Sequence, residues 1–239
     1  MQLMNDAIDR CRAPGGLDFG TSMRMAPEIS RELIAMAIPM VYQEQKSIFS
    51  ENQTGRGVYV VLDGQVKLSV NSAEGRRLSL CIARKGEILG LSSALLGGPY
   101  EMTAETLFPT RVAHISRKDL LRFIEQHPEA HQALMLELSR QYSMACDQLR
   151  TLGLSASAPE RLARFLLHWS ESGVKTDGGT CSRFSLTHEE VGEFIGASRE
   201  TVTRTPTTFR NKRLVLFKGS PLTIPDMNAL AVLAGSQVE

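Results

Sequence analysis

The chain has 239 residues, 42% hydrophobic and 22% charged, enough to bury two modest cores or one large one. Its 27 lysines and arginines against 26 aspartates and glutamates leave a formal charge of +1, which excludes general adhesion to nucleic acid or to an anionic membrane. No apolar run nears the roughly 20 residues of a membrane span, no basic-then-apolar leader opens the chain, and Cys11, Cys81, Cys146 and Cys181 lie too far apart for a metal or cluster motif. The expectation is therefore a soluble cytoplasmic protein with no metal site.

Residues 41 to 116 read as short strands between glycine turns. VYVVLDGQVKLSV carries apolar residues on either side of Asp63-Gly64, a hairpin signal, and RRLSLCIARKGEILG repeats the style after Glu74-Gly75. A further strand follows in TRVAHIS, 110 to 116. Several short strands at turn spacing predict a small barrel or jelly roll.

After Pro128 the period becomes helical. Met135, Leu138, Tyr142, Ala145, Leu149 and Leu152 follow one another in alternating steps of three and four, a heptad seam on a helix of about 25 residues. Such a stripe serves either the chain's own core or a second copy; its length favours dimerisation. TLGLSASAP, 151 to 159, then reads as a hinge, with Ser157 as the cap of a new helix starting near Pro159. The predicted domains are 1–127, 128–156 for the dimerisation helix and hinge, and 157–239.

FSLTHEEVGEFIGASRETV is the most informative stretch. Thr187 and Glu190 form a capping-box pattern ahead of an apolar face of Val191, Phe194 and Ile195; the helix stops at Gly196 and Ser198 can cap a second one. Two short helices around a glycine turn make a helix-turn-helix. On the second helix Glu200, Thr203 and Arg204 share a face bordered by Arg199. Arginine can bridge guanine O6 and N7, and a carboxylate can accept from cytosine N4, so these four are the base-reading candidates. From Arg199 to Lys218 six basic residues face one acidic, a local charge of +5 suited to phosphate. Thr187, Ser198, Thr201, Arg210, Lys212 and Lys218 are the phosphate-contact candidates. LVLFKGSPLTIPDMNAL reads as two strands around a Lys-Gly turn, a wing.

FSLTHEEVGEFIGASRETVTR resembles the DNA-binding domain of the CRP/FNR family of bacterial transcription regulators, and the order of the parts over about residues 30 to 232 is similar too. The resemblance implies an α+β chain: a cyclic-nucleotide-binding-type β-roll (jelly roll), a long dimerisation helix and a C-terminal winged helix-turn-helix. It also implies a homodimer on pseudo-palindromic double-stranded DNA, not an enzyme, with RNA polymerase as a candidate partner, and it places Arg199, Glu200 and Arg204 at the family's base-reading positions.

Two departures stand out. Cyclic-nucleotide-binding members present a glutamate and an Arg-Ser pair to the ligand; here Leu91 stands near the glutamate position and Glu101-Met102 near the pair, with Gly90, Ser92 and Thr103 completing the expected effector pocket. A carboxylate repels the cyclic phosphate, so cyclic AMP is not the expected effector. The scattered histidines and cysteines make haem and an iron–sulfur cluster unexpected as well. Second, Pro206 falls about eight residues into the second helix, where it has no N–H for the carbonyl of Val202, at a cost of about 3 kcal/mol. The expectation is a kink or an early end, and with it an alternative: a module whose helix-turn-helix has lost DNA and serves protein interaction.

Overall fold

The computed structural model describes residues 27–154, 157–171, 173–184, 186–217 and 221–235. The chain divides into two compact units, Met1–Asn71 with Cys81–Ser143, and Ser72–Leu80 with Met144–Glu239.

In the first unit, helix α1 (Pro27–Ala35) precedes strands β1 (Ile38–Tyr42), β2 (Ser47–Phe49), β3 (Gly57–Asp63), β4 (Val66–Asn71), β5 (Arg77–Ala83) and β6 (Ile88–Leu89). Helix α2 (Leu91–Leu96) and strands β7 (Thr103–Thr106) and β8 (Thr110–Ser116) follow. The strands form two four-stranded sheets, in the orders β1-β8-β3-β6 and β2-β7-β4-β5. Phe49, Val66, Leu68 and Ala104 of one sheet pack against Tyr59, Val61 and Val112 of the other, making the interior of the roll. The opposite face of β3 and β8, through Val58, Val60, Leu62, Ala113 and Ile115, packs on helices instead. Both faces of β3 are covered, and for that reason VYVVL is an unbroken apolar run.

The Asp63-Gly64 pair does not close the hairpin that its sequence suggests. β3 pairs with β8 and β6, whereas β4 pairs with β7, so the turn carries the chain from one sheet to the other. Its geometry still requires glycine: Gly64 has φ +95°, and a Cβ there would collide with Thr110 Oγ1. The dipeptide encodes a tight reversal; whether the strands it joins pair with each other is decided elsewhere.

Helix α3 (Arg117–Gln126) is capped by Ser116, whose Oγ accepts from Asp119 N at 3.1 Å. Helix α4 (Pro128–Leu154) starts on a proline, where the missing N–H costs nothing, and its 27 residues span about 40 Å. Ala130, Ala133 and Leu134 bury its first turns. It continues through Gly153 to Leu154, so the hinge expected from residue 151 does not begin there; a glycine costs a helix only about 1 kcal/mol. Residues 155 and 156 lie outside the described residues.

The second unit holds α5 (Ala158–Ser170), β9 (Val174–Thr176), β10 (Gly179–Arg183), α6 (His188–Ile195), α7 (Arg199–Asn211), β11 (Leu216–Phe217), β12 (Pro221–Ile224) and α8 (Met227–Leu233). Ser157 caps α5 as its position suggests, accepting from Glu160 N at 3.3 Å. The four strands form one sheet, β11-β12-β10-β9. The β11–β12 pair is the predicted wing, while the β9–β10 hairpin was hidden by its polar sequence, GVKTDGGTCSR, which has no apolar alternation. Leu162, Leu166, Trp169, Val191, Phe194, Val202, Phe209 and Ile224 are buried in this unit. No helix among the described residues is long and apolar enough to cross a membrane.

Candidate nucleic-acid interface

Helix α6 begins with the full capping box: Thr187 Oγ1 accepts from Glu190 N at 3.2 Å, and Glu190 Oε2 accepts from Thr187 N at 2.9 Å. It ends at Gly196, whose φ of +58° suits glycine and whose N–H is donated to Gly192 O. Gly192 has its own reason: a Cβ there would stand 2.6 Å from Ala197 O, so the turn can fold back only over a bare helix position. Ala197 N donates to that same Gly192 O at 3.0 Å. Ser198 then caps α7, its Oγ accepting from Thr201 N at 3.3 Å and lying 3.1 Å from Thr201 Oγ1. Around this motif, Gln148 Nε2 donates to Phe194 O at 2.9 Å and Arg161 Nε to Ile195 O at 2.6 Å, covering the last carbonyls of α6.

Arg199, Glu200, Thr203 and Arg204 are all exposed in the first two turns of α7, as a surface for base edges requires. Of the phosphate-contact candidates, Thr187 and Ser198 are engaged as caps, Thr201 is half-buried, and Arg210 and Lys212 are exposed at the far end of α7; Lys218 lies outside the described residues. Thr203 carries two contacts that sequence alone does not announce. Its Oγ donates to Arg199 O at 2.8 Å and lies 3.2 Å from His188 Nδ1.

Pro206 does not end α7, which runs five residues further, to Asn211. Val202 and Phe209, on either side of the proline, are each 1% exposed, and their burial holds the helix across the missing hydrogen bond. The expectation of an early end gives way to this tertiary anchoring.

In the first unit the effector candidates divide between two cores and a surface contact. Leu91 is buried in the core between the roll and its helices, whereas Met102 packs on the roll interior. Ser92 Oγ donates to Glu101 Oε1 at 2.7 Å, and Thr103 Oγ1 accepts from Glu51 N at 3.0 Å. Gly90 is left-handed, at φ +73°, and a Cβ there would meet the Tyr100 ring at 2.7 Å. Tyr100, one residue before Glu101, anchors this corner of the roll. Buried and stacked on Phe49 at 4.0 Å, it donates from its hydroxyl to Gly57 O at 3.0 Å and accepts from Arg56 N at 3.1 Å. Tyr59 and His114 extend the ring cluster at 4.7 Å; burial pushes the Tyr59 phenol up and the His114 imidazole down, so both stay neutral.

A second feature missed at the sequence level joins α4 to the roll. Glu137, with no side-chain exposure, accepts from Arg140 Nε at 2.9 Å, Arg140 Nη2 at 2.7 Å and Gln141 Nε2 at 2.8 Å. Arg140 Nη1 reaches Glu87 Oε1 at 3.3 Å, and Gln141 Nε2 donates to Ile88 O at 2.9 Å. Burial raises the Glu87 carboxyl above its ordinary value, although Arg140 opposes the shift. A carboxyl raised on folding stabilises below its unfolded value and loses that contribution as pH rises through the folded one, so ionised Glu87 is a cost at neutral pH. Arg140→Ala is expected to destabilise the first unit by about 3 kcal/mol, because it leaves buried Glu137 without its cation and with only the Gln141 hydrogen bond. Glu87→Gln is expected to act oppositely, with a melting-temperature advantage that grows as pH rises from about 4.5 to about 7.5. Thermal melts of both variants across that range check the pair. Cys81, beside this network, is pushed up to about 12 by burial and stays an inert thiol.

Residues 39–127 match the cyclic nucleotide-binding domain, and residues 160–233 match the Crp-like helix-turn-helix domain. The transcriptional activator Anr of Pseudomonas protegens is 30% identical over 195 residues, 80% of this chain and 78% of that protein. The chain belongs to the CRP/FNR family of transcription regulators. Within the family it is also similar to the CRP-like cAMP-activated global transcriptional regulator of Mycobacterium tuberculosis, 26% identical over 225 residues, 94% of this chain and 98% of that protein. FixK2 from Bradyrhizobium japonicum shares the fold of this CRP/FNR chain, with a TM-score of 0.75 at 22% identity over 85% of this chain and 98% of that one.

Proposed function

We propose that the protein is a homodimeric, cytoplasmic, sequence-specific DNA-binding transcription regulator that acts on RNA polymerase and does not respond to cyclic AMP. The observation that carries the reading is the capped α6–turn–α7 unit with Arg199, Glu200, Thr203 and Arg204 exposed on the first turns of α7. In a dimer, two such helices about 34 Å apart read half-sites one DNA turn apart. Arg210 and Lys212 supply the phosphate term, as Lys218 does from outside the described residues. The protein-interaction alternative rests on Pro206, and the continuation of α7 past that residue favours DNA reading over it. Cyclic AMP is disfavoured by the Glu101 carboxylate, which by resemblance falls near the position where cyclic-nucleotide-binding members present a cation to the phosphate.

Selection of bound sequences from random duplexes by effector-free protein, repeated over a salt series, tests the reading. A two-fold-symmetric site with steeply salt-dependent affinity is expected. Arg199→Ala should weaken one guanine preference by about 1–3 kcal/mol and leave the rest of the site alone. Absence of any enriched sequence contradicts DNA reading; micromolar heat of binding with cyclic AMP in calorimetry contradicts the effector part alone.

A further inference from the structure

Thr203 and His188 make a contact that the helix-turn-helix pattern does not call for. Thr203 Oγ lies 2.8 Å from Arg199 O and 3.2 Å from His188 Nδ1, and the hydroxyl has one proton for two neighbours. Given to Nδ1, that proton would leave Oγ and the Arg199 carbonyl as two acceptors in close contact. Given to Arg199 O, as a threonine in a helix commonly does, it leaves Oγ to accept from an Nδ1–H tautomer of His188, and both contacts become hydrogen bonds. The hydroxyl proton is then spent inside the protein. The exposed side chain then has no hydrogen to donate outward and presents its methyl group, beside one remaining Oγ lone pair. His188 is itself exposed, and it is the first residue of α6, so the contact ties the start of one helix to the second turn of the other.

We infer that His188 is a positioning residue for base readout: by accepting no proton from Thr203 and donating one to it, it keeps the hydroxyl proton turned into the protein, so that Thr203 has no donor for DNA and reads through its methyl. The chemical group selected is another methyl, the C5-methyl of thymine, whose apolar contact with a threonine methyl is one of the major-groove recognition modes. A free threonine hydroxyl could instead donate to guanine or thymine oxygens, and it would discriminate poorly. This inference rests on the DNA-reading function proposed above.

The test is site selection with the full-length protein, its Thr203→Ser, Thr203→Val, His188→Ala and His188→Asn variants, and a duplex carrying 5-methylcytosine at the position concerned. Wild type and Thr203→Val are expected to prefer thymine at one position in each half-site, and 5-methylcytosine to bind better than cytosine there, by roughly fourfold, the worth of one buried carbon. Thr203→Ser, which keeps the hydroxyl and loses the methyl, should abolish the preference. His188→Ala should relax it without lowering the melting temperature, and His188→Asn, whose side-chain amide can donate in place of Nδ1–H, should restore it. A wild-type site whose base preferences survive Thr203→Ser overturns the inference and leaves DNA reading standing. A Thr203→Ser effect without a His188→Ala effect overturns the role of His188. A wild-type protein that selects no sequence overturns DNA reading and the inference with it.

Discussion

Tyr142→Glu combined with Leu149→Glu is expected to leave the protein monomeric, with a sedimentation mass near 26.3 kDa in place of twice that value. In the single chain these side chains are 73% and 68% exposed, and Met135, on the same seam, is 67% exposed. Ala145 is exposed as well, whereas Leu138 and Leu152 are half-buried, Leu138 against the core beneath α4. Alternating steps of three and four keep all six on one line of the helix, and in a parallel two-fold pair each meets its own copy. Glutamates at two of these positions would oppose like charge to like charge across the axis. Because the replaced side chains are exposed, the melting temperature of the isolated chain should hardly change. Affinity for a two-fold site should fall about 100-fold or more, since two half-sites would no longer be engaged by one molecule. Retention of the dimer mass would place the interface elsewhere.

Pro206→Ala is expected to stabilise α7 by up to about 3 kcal/mol, the difference between proline and alanine in a helix interior. The helix already runs from Arg199 to Asn211, so the substitution restores a donor for the Val202 carbonyl within an existing helix. Hydrogen exchange across residues 199–211 should slow and the melting temperature should rise. The selected DNA sequence should not change, because Arg199, Glu200, Thr203 and Arg204 all precede the proline; affinity should rise, because Arg210 and Lys212 follow it on a firmer helix. Unchanged exchange would mean that the anchors Val202 and Phe209 already recover the whole cost of the proline.

The contrast between these residues shows what a chain reveals by itself. The caps at Thr187 and Ser198, the glycine stop at Gly196 and the wing were legible because each depends on neighbours within about one turn of helix or one tight reversal. The common exposure of Arg199, Glu200 and Arg204 on α7 was legible for the same reason, since helical spacing alone puts them near one surface. The Asp63-Gly64 turn was read correctly as a turn and wrongly as a hairpin: the dipeptide governs its own φ angles, while strand pairing is settled by partners such as β8, some 50 residues away. Glu137 and Arg140 are one turn apart and could have been paired on paper, yet nothing local points to Glu87, 53 residues earlier, or to the burial that makes the cluster costly to break.

The sequence by itself determined the class of the protein and the helix-turn-helix with its exposed basic residues, because these rest on short-range periodicity and capping. Only the tertiary structure decided that α7 survives Pro206, that Tyr100 lies stacked within the roll, that Leu91 and Met102 belong to different cores, and that His188 meets Thr203. Each of those outcomes turns on burial and on contacts between segments far apart in the chain, where the free energy of packing several side chains together exceeds the local preference of any one residue.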